Sequence, residues 1–250
     1  MTKITILTPS YNQAQFIEEN IISVQAQAKV EVEHIVIDGG STDGTLAILK
    51  KYPHLKYLSE KDEGQADALQ KGLEMSTGDI VGWINSDDYL EPDVLSQVVD
   101  SFESANIDWL VGDITFLFDK DKYFRPEKSA KITRQSLLSD PNILRQQGTF
   151  FRKRALQNVG GFDKKYQMVM DLDLWFRLLS LSEPLMIDRN MAYFRIHADQ
   201  KTSGKQIKLQ TKEILDVFRK NKSPLCYRFK IAWRNFFFGK YLQLIFLLRK

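Results

Sequence analysis

The sequence predicts an α/β fold in which a central, mostly parallel sheet is flanked by helices, and three observations carry that expectation. Strand and helix patterns alternate three times between Lys3 and Ser104, the arrangement that winds a parallel sheet with helices. The run Ile80-Val81-Gly82-Trp83-Ile84 is apolar apart from its glycine, as strands buried on both faces are. Each strand also ends on a polar or glycine-rich turn: Tyr11-Asn12, Asp38-Gly39, Glu60-Lys61-Asp62 and Asp87-Asp88. Right-handed crossovers put those turns on one edge of the sheet, the edge at which open α/β sheets bind ligands.

In chain order, Lys3 to Thr8 reads as a first strand ended by Pro9, and Ala14 to Gln27 as a helix with Phe16, Ile17, Ile21, Ile22 and Val24 near one face. Glu33 to Ile37 is a second strand. The loop after it runs from Asp38 to Thr45, and Ser41 or Asp43 can cap a helix from Thr45 to Lys51. Leu55 to Ser59 is a short strand, Gln65 to Met75 a helix closed by Ser76-Thr77-Gly78. The central strand then leads to a helix from Pro92 to Ser104, with proline in its permitted first turn. Asp108 to Gly112, Ile114 to Phe118 and Tyr123 to Arg125 read as strands around a turn at 119–122. That hairpin leaves open acceptor-side contacts or simple edge pairing. Gly160-Gly161-Phe162-Asp163 is a tight turn, and Met170 to Leu178 opens a further helix.

Length and composition set the frame. A chain of 250 residues with 43% hydrophobic and 27% charged residues is ordinary for a globular protein. We expect one catalytic domain over 1–204 and a basic, aromatic helical extension over 205–250. A single cysteine, Cys226, rules out an intramolecular disulfide and points to a reducing, cytoplasmic compartment. The N-terminus is too short and polar for a signal peptide, and no apolar run reaches the roughly 18 residues of a membrane span. Residues 205–250 carry 12 Lys and Arg against 2 Asp and Glu, whereas the remainder carries 23 against 30. An acidic body excludes a nucleic-acid surface at the sheet rim. The tail is different. After a polar helix over Lys205 to Lys222 and a break at Ser223-Pro224, residues 225–250 mix Trp233, Phe236, Phe237, Phe238, Tyr241 and Phe246 with six bases. They fit a peripheral position on an anionic membrane at its inner face, or packing on the domain or on a homodimer partner.

Adjacent carboxylates at Asp87 and Asp88 repel each other, and a hard divalent cation such as Mg²⁺ or Mn²⁺, bridging to a phosphate, is the usual reason to keep them at a strand end. The alternative is that they end the strand and cap the next helix.

Three blocks together carry a resemblance. Thr8-Pro9-Ser10-Tyr11-Asn12, Val36 through Thr45, and Gly78-Asp79-Ile80 through Asn85-Ser86-Asp87-Asp88 resemble family 2 glycosyltransferases of the GT-A fold, in that family's order and spacing, over residues 3 to about 203. The resemblance implies a Rossmann-like GT-A domain, a nucleotide-diphosphate sugar donor (a UDP-sugar favoured), Mg²⁺ or Mn²⁺, and inversion at the anomeric carbon. The acceptor would be a glycan or lipid-linked glycan of surface polysaccharide assembly. Carried over by position, Thr8, Pro9 and Tyr11 would cradle base and ribose and Asp38 would bond the base. Asp62 would add a nucleotide contact, and Gln65 and Asp67 would face sugar or ribose. Asp88 would bind the metal, with Asp87 on the ribose or donor sugar and Gln147 touching donor or acceptor. Asp171, in Met170-Asp171-Leu172-Asp173-Leu174-Trp175, matches the general base. The family often has Glu-Asp there, so Met170 marks a missing auxiliary acid, and Asp173 supports the helix. His197 would give a further metal or diphosphate contact, or end a strand with an ordinary hydrogen bond, while Arg195 and Lys201 would neutralise diphosphate or stay solvated. A base is needed because an acceptor hydroxyl is a poor nucleophile until its proton begins to leave.

Two other classes remain. A sugar-nucleotide pyrophosphorylase should carry a glycine-rich, basic phosphate loop after its first strand, where this chain has Tyr11-Asn12-Gln13. A non-catalytic carbohydrate- or lipid-binding module would need no base.

Overall fold

The computed structural model describes residues 2–118, 123–197, 200–201 and 206–235. Its elements are β1 (Lys3–Ser10), α1 (Ile17–Gln25), β2 (Glu31–Asp38), α2 (Thr45–Leu49), β3 (Lys56–Ser59), α3 (Gln65–Met75), β4 (Ile80–Trp83), β5 (Tyr89–Leu90), α4 (Val94–Ser104) and β6 (Trp109–Phe118). They continue with β7 (Tyr123–Glu127), α5 (Arg134–Ser139), β8 (Thr149–Arg152), α6 (Lys153–Asn158), α7 (Met170–Leu178), β9 (Leu185–Arg195) and α8 (Ile207–Lys220). The expected turn at 119–122 and the aromatic tail from 236 onward lie outside the described residues.

Among the described residues the sheet has nine strands in the order β3-β2-β1-β4-β8-β6-β9-β5, with β7 on β6. The first four are parallel, as the alternation predicts. β8 runs antiparallel to both β4 and β6, so the second half of the sheet is mixed. Pro9 does not end β1: the register with β2 continues through Pro9↔Ile37 to Ser10↔Asp38. Leu7 O accepts from Ile84 N and Ser10 O from Gly39 N. Pro9 therefore turns its missing N–H toward β4, whose pairing with β1 has already stopped at Leu7↔Trp83.

Period-two burial divides the interior. Ile4, Ile6 and Ile80 face one core with Val94, Leu95, Val98 and Phe102 of α4, while Leu7 and Val81 face another with Leu69 and Leu73 of α3 and with Trp175 of α7. Trp109, Phe151 and Trp175 stack at the centre of the second, each ring 5.8 Å from Trp175. The two strands expected around Asp113 are one continuous strand, β6, with a register shift at Gly112/Asp113 where it pairs with β9. The helix expected to be polar, α8, is amphipathic: Ile214, Val217 and Phe218 lie in the same core as Trp175 and Phe176.

Candidate active site

The parallel strands deliver their turns to one edge, and a cleft of about 490 Å³ opens there. It is lined by Pro9, Tyr11, Asp62, Gln65 and Asp87 at and after the strand ends, by residues of segments 141–147 and 167–172, and by Gln210 and Ile214 of α8. Asp87 and Asp171, 84 positions apart, therefore share one cavity.

Local chemistry builds the sheet side. Asp38 accepts from Gly40 N (3.2 Å), Ser41 N (2.9 Å) and Ser59 Oγ (2.7 Å), and from the Ser41 hydroxyl. This is an Asx-type turn tied to the next strand. Ser41 in turn accepts from Asn12 N at 2.7 Å, and Asp43 Oδ2 from Ala14 N at 2.9 Å, so the β2 loop braces the β1 loop. Asp62 accepts from Gly64 N at 2.9 Å, and a Cβ at Gly39 would stand 2.8 Å from Asp62 Oδ2. A side chain at position 39 would have to displace the Asp62 carboxylate, so glycine here lets the second and third loops keep this approach.

Asp88 lies behind this surface, 1% exposed. Its Oδ1 accepts from Arg195 N (3.0 Å), its Oδ2 from Gln147 Nε2 (2.8 Å) and Asn85 Nδ2 (3.3 Å). Burial raises its pKa well above the ordinary carboxylate value, Asp87's charge adds to that, and the three hydrogen bonds act in the opposite direction. Asp87 faces the cleft, and its Oδ2 lies 3.0 Å from His197 Nε2. Two neighbouring carboxylates with an imidazole this near one of them fit a hard divalent cation. A cation there would offset the cost of ionising Asp88. Among the described residues no group of three His, Cys, Asp or Glu side chains is arranged to hold a metal ion by itself; Mg²⁺ and Mn²⁺ commonly bind through one or two carboxylates and complete their shell with water and substrate phosphates.

Asp171 opens α7 and lines the cleft. Burial raises its pKa, opposed first by the hydrogen bond from Leu172 N to Oδ1 (2.8 Å) and then by the charges of Arg145 and Lys201. A carboxylate that holds its proton more tightly is a stronger base.

Of the expected site residues, Pro9, Tyr11, Asp62, Gln65, Asp87, Gln147 and Asp171 line the cleft. Thr8, Asp38, Asp67 and Asp88 stand behind it. Thr8 Oγ1 donates to Asn20 Oδ1 (3.3 Å) and contacts His34 Nε2 (2.9 Å), and Asn20 Nδ2 donates to the carbonyls of Asn85 and Asp88 (2.9 Å each). Asp67 pairs with Lys71 at 3.2 Å and with Lys164, and Lys164 foremost holds its pKa down to about 2. Lys201 lines the cleft, but Arg195 is buried. Its guanidinium donates to the Asp87 carbonyl (3.1 Å) and Glu19 Oε2 (2.5 Å), so it braces the acidic turn. Asp173 is fully buried, held by Arg177 Nε (2.7 Å) and Lys220 Nζ (2.8 Å). Asn85 escaped sequence reasoning although its Oδ1 gathers Gln65 Nε2 (2.7 Å) and Trp83 Nε1 (2.8 Å). Nothing in an Asn-Ser-Asp-Asp string marks the asparagine as a hub.

The fold is that of a GT-A-type glycosyltransferase. Two solved structures share it. TarS of S. aureus, solved with UDP-GlcNAc, superposes with a TM-score of 0.68 at 18% identity over 86% of this chain and 66% of its own. The mannosyltransferase PcManGT of Pyrobaculum calidifontis, solved with GDP-Man and Mn²⁺, superposes with a TM-score of 0.64 at 18% identity over 93% and 69%. The model of glycosyl transferase family 2 matches residues 5–162, and the chain belongs to that family. An uncharacterized glycosyltransferase of Mycobacterium tuberculosis is 28% identical over 74% of this chain and 71% of its own length. The chondroitin synthase of Escherichia coli is 24% identical over 89% of this chain, which spans only 33% of that enzyme.

Proposed function

We propose that this glycosyltransferase moves a sugar from a nucleotide-diphosphate sugar, a UDP-sugar first among them, to a hydroxyl of a glycan or lipid-linked glycan, with inversion, in surface polysaccharide assembly. The carrying observation is the shared cleft: Asp87, which lies 3.0 Å from His197 Nε2, and Asp171 line the same cavity. Tyr11, 61% exposed on the rim, offers a ring face to the base, and Asp62 offers acceptor oxygens to the nucleotide. Asp87, Asp88 and His197 would hold Mg²⁺ or Mn²⁺. When bound, the ion supplies Lewis-acid stabilisation of charge on the departing nucleoside diphosphate. Gln147 and the backbone of Arg195 fix the Asp88 carboxylate directly behind Asp87. Asp171 takes the proton of the acceptor hydroxyl as the oxygen attacks the anomeric carbon opposite the leaving group, and a single displacement inverts the centre. UDP-GlcNAc in TarS, Mn²⁺ in PcManGT and the chondroitin synthase relative support donor class, cation and polysaccharide role.

A screen of UDP-, GDP- and dTDP-sugars for binding and slow nucleotide release, with Mn²⁺ or with chelator, tests this. Metal-stimulated release is expected. Nucleoside triphosphate formed from pyrophosphate would point to a nucleotidyltransferase instead, and no binding in any arm would leave a non-catalytic module.

A second observation bears on the surroundings of the enzyme. The helical segment over 225–235 turns Leu225, Phe229 and Trp233 outward, at 66%, 73% and 69% exposure, while Ile231 and Asn235 are buried. Lys230 and Arg234 stand beside the exposed aromatics. We propose that this face meets an anionic membrane from the inner side, aromatics at headgroup depth and bases on phospholipid phosphate. No helix among the described residues is long and apolar enough to cross a membrane. Co-sedimentation with phosphatidylglycerol vesicles should be lost on removing 225–250. Unchanged sedimentation sinks the idea, and a shift from dimer to monomer instead would assign the face to a second copy.

A further inference from the structure

The segment carrying Asp171 is held from outside the stretch that the family model covers. Glu213 on α8 is 7% exposed. Its Oε1 accepts from Gln167 N at 3.1 Å and its Oε2 from Met168 N at 2.8 Å. One carboxylate thus takes two successive backbone N–H groups three and four residues before Asp171, a charge-assisted pair of the strong kind. Two further polar side chains of α8 go to the same segment. Asp216 accepts from Tyr166 Oη at 3.0 Å and pairs with Lys165 at 2.5 Å, and Lys220 Nζ reaches Asp173 Oδ1 at 2.8 Å. Between these contacts Ile214, Val217 and Phe218 lock α8 into the core shared with α7. Gln210 and Ile214 meanwhile line the cleft itself.

Such a clamp has a chemical consequence. Loop backbone leading into a helix has unpaired N–H groups and several accessible conformations. Tying two consecutive amides to a buried anion removes that freedom and fixes where the first residues of α7 begin. Within catalysis a misplacement of about 1 Å costs on the order of 10²-fold.

We infer that Glu213 is a positioning residue for the reaction: it sets the carboxylate of Asp171 against the acceptor hydroxyl by clamping the amides of Gln167 and Met168. This rests on Asp171 being the base. Glu213 touches neither donor nor acceptor in this scheme. Its side chain is suited to the work in a way glutamine is not, because an amide has one acceptor oxygen and would turn an N–H donor against the second backbone N–H.

The test uses the full-length chain and the variants Glu213→Gln, Glu213→Asp and Asp171→Asn. Hydrogen exchange of the peptide spanning 163–172 reads the clamp directly. Glu213→Gln should raise exchange there by about tenfold or more, with α3 and α4 unchanged. With the nucleotide sugar that the screen selects, kcat should fall by about 10²-fold while KM for the donor stays within about twofold. The acid limb of the kcat profile should move to lower pH as a loosened Asp171, still facing Arg145 and Lys201, becomes better solvated. Glu213→Asp keeps two acceptor oxygens and should recover part of both losses. Faster exchange with wild-type kcat, in a protein where Asp171→Asn is inactive, overturns the inference and leaves the base in place. Equal loss of donor binding and turnover, with a lowered melting temperature and no rescue by aspartate, makes Glu213 a stability residue and also overturns it. An active Asp171→Asn variant refutes the base, and with it the inference, even where exchange reports an intact clamp.

Discussion

The two sides of the cleft are built by different means. On the sheet side three acidic turns are closed largely by local bonds, Asp38 to Ser41, Asp43 to Thr45 (3.0 Å) and Asp62 to Gly64, whereas the Asp87-Asp88 turn is already held from a distance by Gln147 and Arg195. On the opposite side Asp171 sits in a segment whose anchors lie 45 and 46 positions away on α8, and the buried Asp173 is held by Lys220, 47 positions away. Those three turns are thus compact local units, while the wall that carries Asp171 is assembled by long-range contacts.

That contrast can be broken or sharpened. The largest effect is expected at the acceptor side: Asp171→Asn should lower kcat by about 10²- to 10⁴-fold while donor affinity, measured by calorimetry, is retained. Asp88→Ala should do the reverse, weakening Mn²⁺-dependent donor binding by about tenfold or more, as loss of a metal ligand or its orienting partner does. If both variants lose donor affinity equally, the two sides are one cooperative unit and the contrast fails.

The pH response separates them further. Burial raises the pKa of Asp171 above the usual carboxylate value of 3.8. The base form is present above that raised pKa and is lost as pH falls through it. Turnover should therefore decline on the acid side at a pH where an exposed aspartate would still be ionised, and Asp171→Asn should abolish that limb. A kcat flat down to pH 4 would remove Asp171 from the role.

The smallest effect concerns Asp67, whose pKa Lys164 holds down to about 2. A depressed carboxylate contributes stability above its unfolded pKa, and that contribution disappears as pH falls toward the folded value. Asp67→Asn should cost only about 1 kcal/mol at pH 7, because Lys164 is about half exposed and Lys71 a quarter, and solvent screens both pairs. Urea denaturation at pH 7 and pH 3 should give a difference that shrinks at the lower pH. An equal loss at both would assign Asp67 a packing role.

Much of the fold was legible because its signals are local. Apolar runs at Lys3 to Thr8 and Ile80 to Ile84, with helix patterns between them, are sufficient to wind a parallel sheet, and α3 falls at Gln65–Met75 as its pattern indicates. Less legible was depth. Asp87 and Asp88 are neighbours of identical chemistry, yet one lines the cleft and the other is 1% exposed. Arg195 ends β9 and Lys201 follows it by six residues, yet of these two cations only Lys201 reaches the cleft. Which of two adjacent side chains points outward depends on what packs against the turn, here Gln147 and the backbone of Arg195, and those partners are distant in sequence.

The amino-acid sequence alone determined the parallel half of the sheet, the edge on which its turns collect and the residue types available there. These follow from periodicity, turn chemistry and the handedness of crossovers, which act over a few residues at a time. The tertiary structure alone decided that α8 belongs to the core and that Glu213 holds the strand-to-helix passage before Asp171. The physical reason is the range of the interactions. A buried carboxylate finds its amides only after the chain has closed a loop of 45 residues, and no local pattern encodes which amides those will be.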